Sequence, residues 1–195
     1  LAVAGLTVLI GGTLALVAVW FGGRVDGAIT RFLDFLFSFP NLLLAVLAVA
    51  VFGAGVETAV VALAIGFSPY TARVIRSVAL RERNLAYVKS AELQGISGLV
   101  ITFRHLLPNV KQQILTGASI NFGYAMIDLA ALSFLGFGVQ EPTPSWGAML
   151  SVGRNYLLQA PWMAVIPGLG VALVTFACNF IGDGLRDAFD PKTRK

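Results

Sequence analysis

Apolar residues run along this chain in five long blocks, and short polar segments separate the blocks. Each block holds about 20 residues, the number that an α-helix rising ~1.5 Å per residue needs to cross a bilayer core of about 30 Å. A helix also satisfies its own backbone hydrogen bonds, which lipid cannot do. The pattern therefore predicts an all-α polytopic transmembrane bundle with spans at residues 1–21, 32–52, 56–74, 114–137 and 161–181.

The composition agrees with a membrane location. Hydrophobic residues make up 57% of the 195 residues and charged residues only 12%, whereas soluble domains carry about 25% charge. We expect residues 1–195 to form a single transmembrane domain. The first block begins at Leu1 without a Met, a basic leader or a cleavage site. We therefore expect one further span to precede it, giving six in the full protein.

The basic residues define the predicted topology. Of the 14 Lys and Arg residues, all except Arg154 lie around alternate connections: after the first span, between the third and fourth, and after the fifth. Under the positive-inside rule these regions face the cytoplasm, which places the C-terminus inside. A pI of about 9.6 also occurs in nucleic-acid-binding proteins. The alternating distribution favours a membrane protein instead, so we expect lipid and not nucleic acid as a partner.

Two connections are predicted on the outer side. Residues 53–57 form a tight hairpin between the second and third spans. Residues 139–160 predict an ordered loop with a short helix at 146–158 near the membrane interface. Aromatic side chains at the ends of apolar runs are expected in the interfacial belt, and the three tryptophans fit this description: Trp20, Trp146 and Trp162.

The cytoplasmic segment 81–109 has more structural signals than a simple connector. Asn84 is a predicted N-cap for a first helix, and Gly95 can end that helix in the left-handed conformation. Ser97 can then cap a second short helix that runs toward Pro108. The segment therefore predicts a helix-turn-helix that lies across the membrane surface.

Such an element between two spans suits a lever that receives work from another protein. The sequence contains no phosphate-binding loop of the GxxxxGK[ST] type, so a nucleotide-driven motor would have to be a separate subunit. The periodicity alone is equally compatible with a basic amphipathic loop that lies on anionic lipid.

Within this segment Ala91, Gly95, Leu107 and Pro108 resemble the EAA loop of binding-protein-dependent ABC permeases, and the spacing fits without a gap. The resemblance implies that the loop docks on an ATPase and couples nucleotide-driven motion to the pore. The residues implied in ATPase coupling are Tyr87, Lys89, Ser90, Ala91, Gly95, Arg104, Leu107 and Pro108. Lys89 stands where the family has Glu, Ser90 replaces an Ala, and His105 replaces an Ile, which leaves the charge of the contact open.

Further stretches are similar to the dipeptide, oligopeptide and nickel permeases, in particular to the second of their two paired subunits. They extend along the whole chain, at residues 21–26, 39–40, 132–136, 142–150, 160–162 and 182–191. The resemblance implies a non-enzymatic inner-membrane subunit of an ABC importer. Its implied partners are a homologous second permease, two ABC ATPases that carry ATP and Mg, and an extracytoplasmic binding protein.

The implied cargo is a short peptide, and nickel, a metal chelate or glutathione are the alternatives within this branch. An ion-coupled secondary transporter is a rival from another class, and a membrane anchor without a transport role is a third. We expect no cofactor or metal on this chain. The single Cys178 cannot form a disulfide within it, and His105 has no partner at metal-ligand spacing.

Polar residues inside the fourth span are the candidates for a translocation path. A buried unpaired charge in lipid costs several kcal/mol, so an intramembrane acid such as Asp128 is a functional candidate. Asn121 and Tyr124 share its helix face at helical spacing. Substrate contact and bonding between neighbouring helices are both compatible with this polar stripe.

Overall fold

The computed structural model describes residues 1–140 and 142–189, and every regular element in these ranges is helical. The helices are α1 (Ala2–Phe21), α2 (Gly23–Phe37), α3 (Asn41–Phe52), α4 (Val56–Arg83), α5 (Ala86–Leu93), α6 (Gly98–Ile101), a π-helical turn (Thr102–Leu106), α7 (Leu107–Phe134), α8 (Trp146–Arg154) and α9 (Trp162–Phe189). The predicted all-α class is confirmed. Lys192, Arg194 and Lys195, which entered the topology prediction, lie outside the described residues.

The centre of the bundle is the pair α1 and α4. A Cβ built at Gly11 would lie 2.7 Å from the carbonyl oxygen of Ser68 and 3.1 Å from the amide nitrogen of Ala72. The two backbones therefore approach as closely as small residues allow, which is how membrane helices gain packing energy. Thr7 adds a hydrogen bond of 3.4 Å from its hydroxyl to the carbonyl of Ala64.

The predicted second span at residues 32–52 is not one continuous helix. The chain forms α2 and α3, which meet at an angle of 86°. Pro40 is the N-cap of α3, with φ −58° and ψ 131°, and it has no N–H to continue the preceding helix. α3 has 12 residues, about 18 Å at ~1.5 Å per residue, which is less than a bilayer core. Five spans result only when this bent pair counts as one.

Charge pairs hold α2 against the basic half of α4. The Arg76 guanidinium donates two hydrogen bonds to Asp26, at 2.6 and 2.5 Å, and Arg73 donates one to Asp34 at 2.6 Å. Only Leu33 of α2 is buried. Hydropathy alone could not find this break, because the apolar face of α2 continues into the apolar sequence of α3.

The long helices extend beyond the predicted spans. α4 has 28 residues and continues to Arg83 instead of ending near Val74, and α9 likewise has 28 residues. The basic residues from Arg73 to Arg83 therefore lie on a helical extension and not in a loop. Pro69 and Pro167 are accommodated inside α4 and α9.

The second short helix of the predicted helix-turn-helix is not separate from the fourth span. α6, the π-helical turn and α7 form one continuous helix, Gly98–Phe134. Pro108 lies in the first turn of α7, and the π-helical turn directly precedes it. A proline cannot donate to the carbonyl four residues earlier, and an inserted π turn is a common way to absorb such a defect.

At the other end of the bundle, α8 packs on α7 and α9 through its glycines. A Cβ at Gly147 would lie 2.3 Å from the carbonyl oxygen of Ala130, and one at Gly153 would lie 2.7 Å from the Met163 carbonyl. Ser145 caps α8 by accepting a hydrogen bond from the Ala148 amide at 3.1 Å. The helix ends at Arg154 and not at the predicted Leu158.

Candidate functional site

The candidate site is the element formed by α5 and α6 between the long helices α4 and α7. Leu85, in an extended conformation, is the N-cap of α5. The predicted N-cap, Asn84, instead ends α4, where its Nδ2 donates to the Leu80 carbonyl at 2.9 Å. The sequence prediction was wrong here because the helix before Asn84 is longer than the hydropathy indicated.

The turn between α5 and α6 agrees with the prediction for Gly95. Gly95 has φ +77°, in the left-handed region. The Ile96 amide donates to the Ala91 carbonyl at 3.1 Å and the Gly95 amide to the Glu92 carbonyl at 3.0 Å. This is the hydrogen-bond pattern that ends a helix with a left-handed glycine. Ser97 follows as the N-cap of α6, without a side-chain hydrogen bond.

One face of the element is buried against α1. Val88, Ala91 and Ile101 form a small apolar cluster, and Trp20 at the end of α1 packs against it. The Trp20 indole lies so close to Gly98 that a Cβ there would be 1.8 Å from the ring atom Cζ2. The element is therefore fixed to α1 by an aromatic ring that only a glycine admits.

Arg83, the last residue of α4, joins that helix to α1 and α5. Its guanidinium donates hydrogen bonds to the carbonyls of Val19 and Trp20, the latter at 2.7 Å. It lies over the Trp20 ring at 5.0 Å from the centroid, and its Nε is 3.5 Å from Glu92 of α5. A cation at these terminal carbonyls of α1 also interacts favourably with the helix dipole.

Neither anchoring residue, Trp20 or Arg83, is among the predicted coupling residues. Trp20 was assigned to the interfacial belt, because a tryptophan at the end of an apolar run has the same sequence pattern in either role. Arg83 was one of several basic residues in a predicted loop. Its contact with Trp20 joins residues 63 positions apart, and no local pattern indicates such a pair.

The opposite face of the element is exposed and partly apolar. Leu93 is 90% exposed and Leu99 is 73% exposed. Lys89, Ser90 and Arg104 are exposed as well. Exposed apolar patches with a polar rim mark surfaces that bind another protein or a membrane.

Tyr87 connects α5 to both neighbouring long helices. Its hydroxyl donates to Glu82 Oε1 at 2.5 Å and accepts from Asn109 Nδ2 at 3.0 Å, and its ring lies edge-on to His105. Partial burial, together with the bond to the Glu82 carboxylate, raises the pKa of Tyr87 to about 12. The phenol therefore stays protonated at neutral pH and can keep donating.

The remaining predicted coupling residues lie at the base of the element. Ala91 is buried in the small cluster, and Leu107 is half-buried against the core between α1 and α4. Pro108 is exposed at the start of α7. The eight predicted residues thus divide into an exposed group and a group that shapes the turn and its attachment.

The three residues of α7 predicted for a translocation path have different surroundings. Asn121 is buried and its Nδ2 donates to Thr71 Oγ1 on α4 at 2.8 Å. Tyr124 is 57% exposed. Asp128 is half-buried and makes no hydrogen bond or ion pair within the part of the chain that the structure describes. Asn121 thus bonds two helices, whereas Tyr124 is exposed on the surface of this chain.

Comparison with known proteins identifies the family of this chain. The model of binding-protein-dependent transport system inner membrane components matches residues 7–195. The dipeptide transport system permease protein DppC of Alkalihalophilus pseudofirmus is 41% identical over 186 residues, which cover 95% of this chain and 61% of that protein. The glutathione transport system permease protein GsiD of Pectobacterium atrosepticum is 44% identical, with 95% and 62% covered. The chain spans about three fifths of the length of these relatives.

The fold is also similar to solved structures. A chain of the MetNI methionine ABC transporter in an inward-facing conformation aligns with a TM-score of 0.74 at 18% identity, covering 95% of this chain and 88% of that one. This identity shows a shared fold alone. Because the family match extends over nearly the whole sequence, the predicted resemblance is confirmed, and the chain belongs to the family of binding-protein-dependent transport system inner membrane components.

Proposed function

We propose that this chain forms the core of a permease subunit of an ATP-driven importer and that its cargo is a short peptide. The observation that carries the proposal is the α5–α6 element, which exposes one face and attaches the other to two long helices. Two similar proteins are named as dipeptide and glutathione permeases. Both cargoes are short peptides, so peptide is preferred over nickel or a metal chelate.

In this proposal the exposed face of the element docks on an ATPase. Lys89, Ser90, Arg104 and Leu93 provide the contact surface, and the positive Lys89 favours an acidic group on the partner. ATP and Mg bind to two separate ATPase subunits, and a second permease and an external binding protein complete the complex. This chain contributes mechanically and catalyses no reaction.

The contacts of Trp20 and Arg83 connect the α5–α6 element mechanically to the long helices. A displacement of α5 is transmitted to α1 through Trp20, which packs against Val88 and Ala91, and to the end of α4 through the ion pair of Arg83 with Glu92 at 3.5 Å. α1 and α4 are in close backbone contact at Gly11, so they respond as a unit. A loop that only rested on lipid would not require this attachment.

The topology of the lever is tested by labelling. Lys89→Cys, in a Cys178→Ala background of the full-length protein, is treated with a membrane-impermeant maleimide in intact cells and in inverted vesicles. We expect labelling in inverted vesicles alone, since the element faces the cytosol and the predicted C-terminus is on the same side. Labelling in intact cells would overturn both the topology and the mechanism.

The dependence on ATPases separates the proposal from an ion-coupled transporter. Proteoliposomes with the complete complex should accumulate radiolabelled dialanine or glutathione only when ATP is present on the side of the membrane where the ATPases are bound. Uptake by the two permeases alone, driven by an ion gradient, would support the rival class instead.

For the translocation path we propose that Asp128 accepts the ammonium group of the cargo, with Tyr124 beside it. Asp128 lies on the C-terminal half of α7 without a hydrogen-bond partner among the described residues, and Asn121 holds the helix against α4. Asp128→Asn should raise the KM for dialanine while leaving N-acetylated dialanine, which lacks the ammonium, unaffected. An equal change for both cargoes would assign Asp128 a structural role.

A further inference from the structure

Helix α2 lies across the ends of the spanning helices and not along them. α3 packs against the spanning helix α4, with Ala45 in a buried cluster beside Ala59 and Leu63, and α2 meets α3 at 86°. α2 follows α1 directly after Gly22, where the chain turns with φ 60°. A helix nearly perpendicular to a membrane segment lies close to the plane of the bilayer surface. We therefore place α2 at the membrane boundary where α1 ends.

The sides of α2 differ in what they contact. Leu33 is buried and packs, together with Ile29, against the core between α1 and α4. On another side Phe32 is 53% exposed and Phe35 is 61% exposed, and Val25 is exposed as well. Residues three or seven positions apart share a helix face, so these three side chains form an apolar strip. No other side of α2 exposes so much apolar surface among the described residues.

The charged residues of α2 divide into a paired and an unpaired group. Asp26 and Asp34 form ion pairs with arginines of α4. The guanidinium groups of Arg24 and Arg31 are exposed and form no ion pair or hydrogen bond within residues 1–140 and 142–189. Because both acidic residues are already paired, the charge that α2 presents outward is positive. Arg24 and Arg31 are two turns apart, and Arg31 is one turn before Phe35, so the arginines border the apolar strip.

The apolar strip is continuous with a membrane segment. The Phe35 ring contacts the Phe39 ring edge-on, with 5.3 Å between the centroids. Beyond the bend, Leu43 and Leu47 of α3 are exposed in turn. One apolar surface thus runs from the side of α2 into a helix that is apolar along its whole length. Such continuity favours lipid over a water-soluble partner as the occupant of the strip.

We propose that α2 is an interfacial helix that binds anionic phospholipid. The apolar strip lies among the first carbons of the acyl chains, and Arg24 and Arg31 bind the lipid phosphates. An arginine can bind one phosphate through two parallel N–H donors, and its aliphatic stem can lie along apolar surface while the charged end reaches the headgroups. Phenylalanines on one side with basic residues beside them are suited to this boundary. The inference does not depend on the cargo or on the ATPases.

A fluorophore on α2 tests the site. Phe32→Cys and, as the matched control, Gly27→Cys are each made in a Cys178→Ala background of the full-length permease and labelled with bimane. Gly27 is five residues from Phe32 and therefore on a different face, and a Cβ there would meet no atom within 4 Å. The complete complex is placed in vesicles of phosphatidylcholine and phosphatidylglycerol. One of the two lipids carries brominated acyl chains, which quench a fluorophore only at short range.

We expect brominated chains to quench bimane on Phe32→Cys strongly and bimane on Gly27→Cys weakly. At equal mole fractions, brominated phosphatidylglycerol should quench the Phe32→Cys label more than brominated phosphatidylcholine does. Arg24→Gln and Arg31→Gln should each lower this preference about 5-fold. Arg24→Lys with Arg31→Lys keeps the charge and should preserve most of it. Arg81→Gln, which removes an exposed charge at the end of α4, should leave the preference unchanged.

Salt provides a second measurement that needs no change to the arginines. At ~1 M salt the Debye length is about 3 Å, so the preference for phosphatidylglycerol should largely disappear. A preference that persists in this salt, or in Arg24→Gln with Arg31→Gln, would overturn the headgroup site. An unquenched label on Phe32→Cys would overturn the lipid-facing strip and show that another subunit covers it. Neither result bears on the proposed transport function, and a failure of ATP-driven uptake would leave the lipid site intact.

Discussion

The attachment of the α5–α6 element to α1 predicts a large effect of a single methyl group at Gly98. The Cβ of Gly98→Ala would lie 1.8 Å from Cζ2 and 2.0 Å from Cε2 of Trp20, whereas carbon atoms in contact are about 3.5–4.0 Å apart. The indole must therefore withdraw by roughly 2 Å. It then loses its position against the buried cluster of Val88, Ala91 and Ile101.

Overpacking of a well-packed site costs about 1–3 kcal/mol, and we expect Gly98→Ala to destabilise the attachment of the element by this amount. A cost of this size increases the population of the locally opened element by about 5- to 150-fold. Hydrogen–deuterium exchange of the α5 amides in the full-length permease measures it. The change should also reduce the cargo imported per ATP hydrolysed, because a detached element moves without displacing α1.

Gly27→Ala is the control, since Gly27 lies in a helix with no atom within 4 Å of a built Cβ. It reports the intrinsic preference of Ala over Gly in a helix, about 1 kcal/mol in the stabilising direction. Trp20→Phe removes the atoms that clash and should recover part of the exchange protection in Gly98→Ala. If the α5 amides exchange at the same rate in Gly98→Ala as in Gly27→Ala, Trp20 does not hold the element. Movement of the element would then not be transmitted to α1 through Trp20.

Three further predictions concern single contacts. Arg83→Lys should lower import per ATP, because an ammonium group cannot both bond two carbonyls and stack on an indole, and the exposed Arg81→Lys should have no effect on the same ratio. The phenol of Tyr87 has its pKa raised from 10.0 to about 12, so its stabilising bond persists below pH 10 and is lost as the pH rises toward 12. The tyrosinate absorbance of the parent minus that of Tyr87→Phe should show no ionisation below pH 10. Gly11→Val should sharply reduce the amount of assembled complex in membranes, because its Cβ would lie 2.7 Å from an α4 carbonyl oxygen, while Gly5→Val should not. Equal amounts of the two variants would contradict the close packing of α1 on α4.

Local sequence features predicted those parts of the molecule that depend on local physics. The apolar blocks gave the positions of α1, α4, α7 and α9, because the requirement for about 20 apolar residues acts on each segment separately. The left-handed turn at Gly95 was predictable for the same reason, since the missing Cβ is a property of that residue alone.

The limits of this prediction appear at residues 32–52. An apolar run of the correct length concealed the bend between α2 and α3, which depends on Pro40 and on where α2 finds partners for its charges. Asp26 and Asp34 pair with Arg76 and Arg73 on α4. These pairs follow from the path of the whole chain, and the charge pattern of α2 alone does not specify them.

The sequence by itself determined that this chain is a bundle of membrane helices with a bent element between α4 and α7. Only the tertiary structure decided what that element is attached to and where polar groups meet. Trp20 packs against Gly98, Arg83 donates to carbonyls at the end of α1, and Asn121 donates to Thr71 of α4. Helical periodicity fixes which face of a helix a residue occupies, but the neighbour of that face is set by the packing of segments that are distant along the chain.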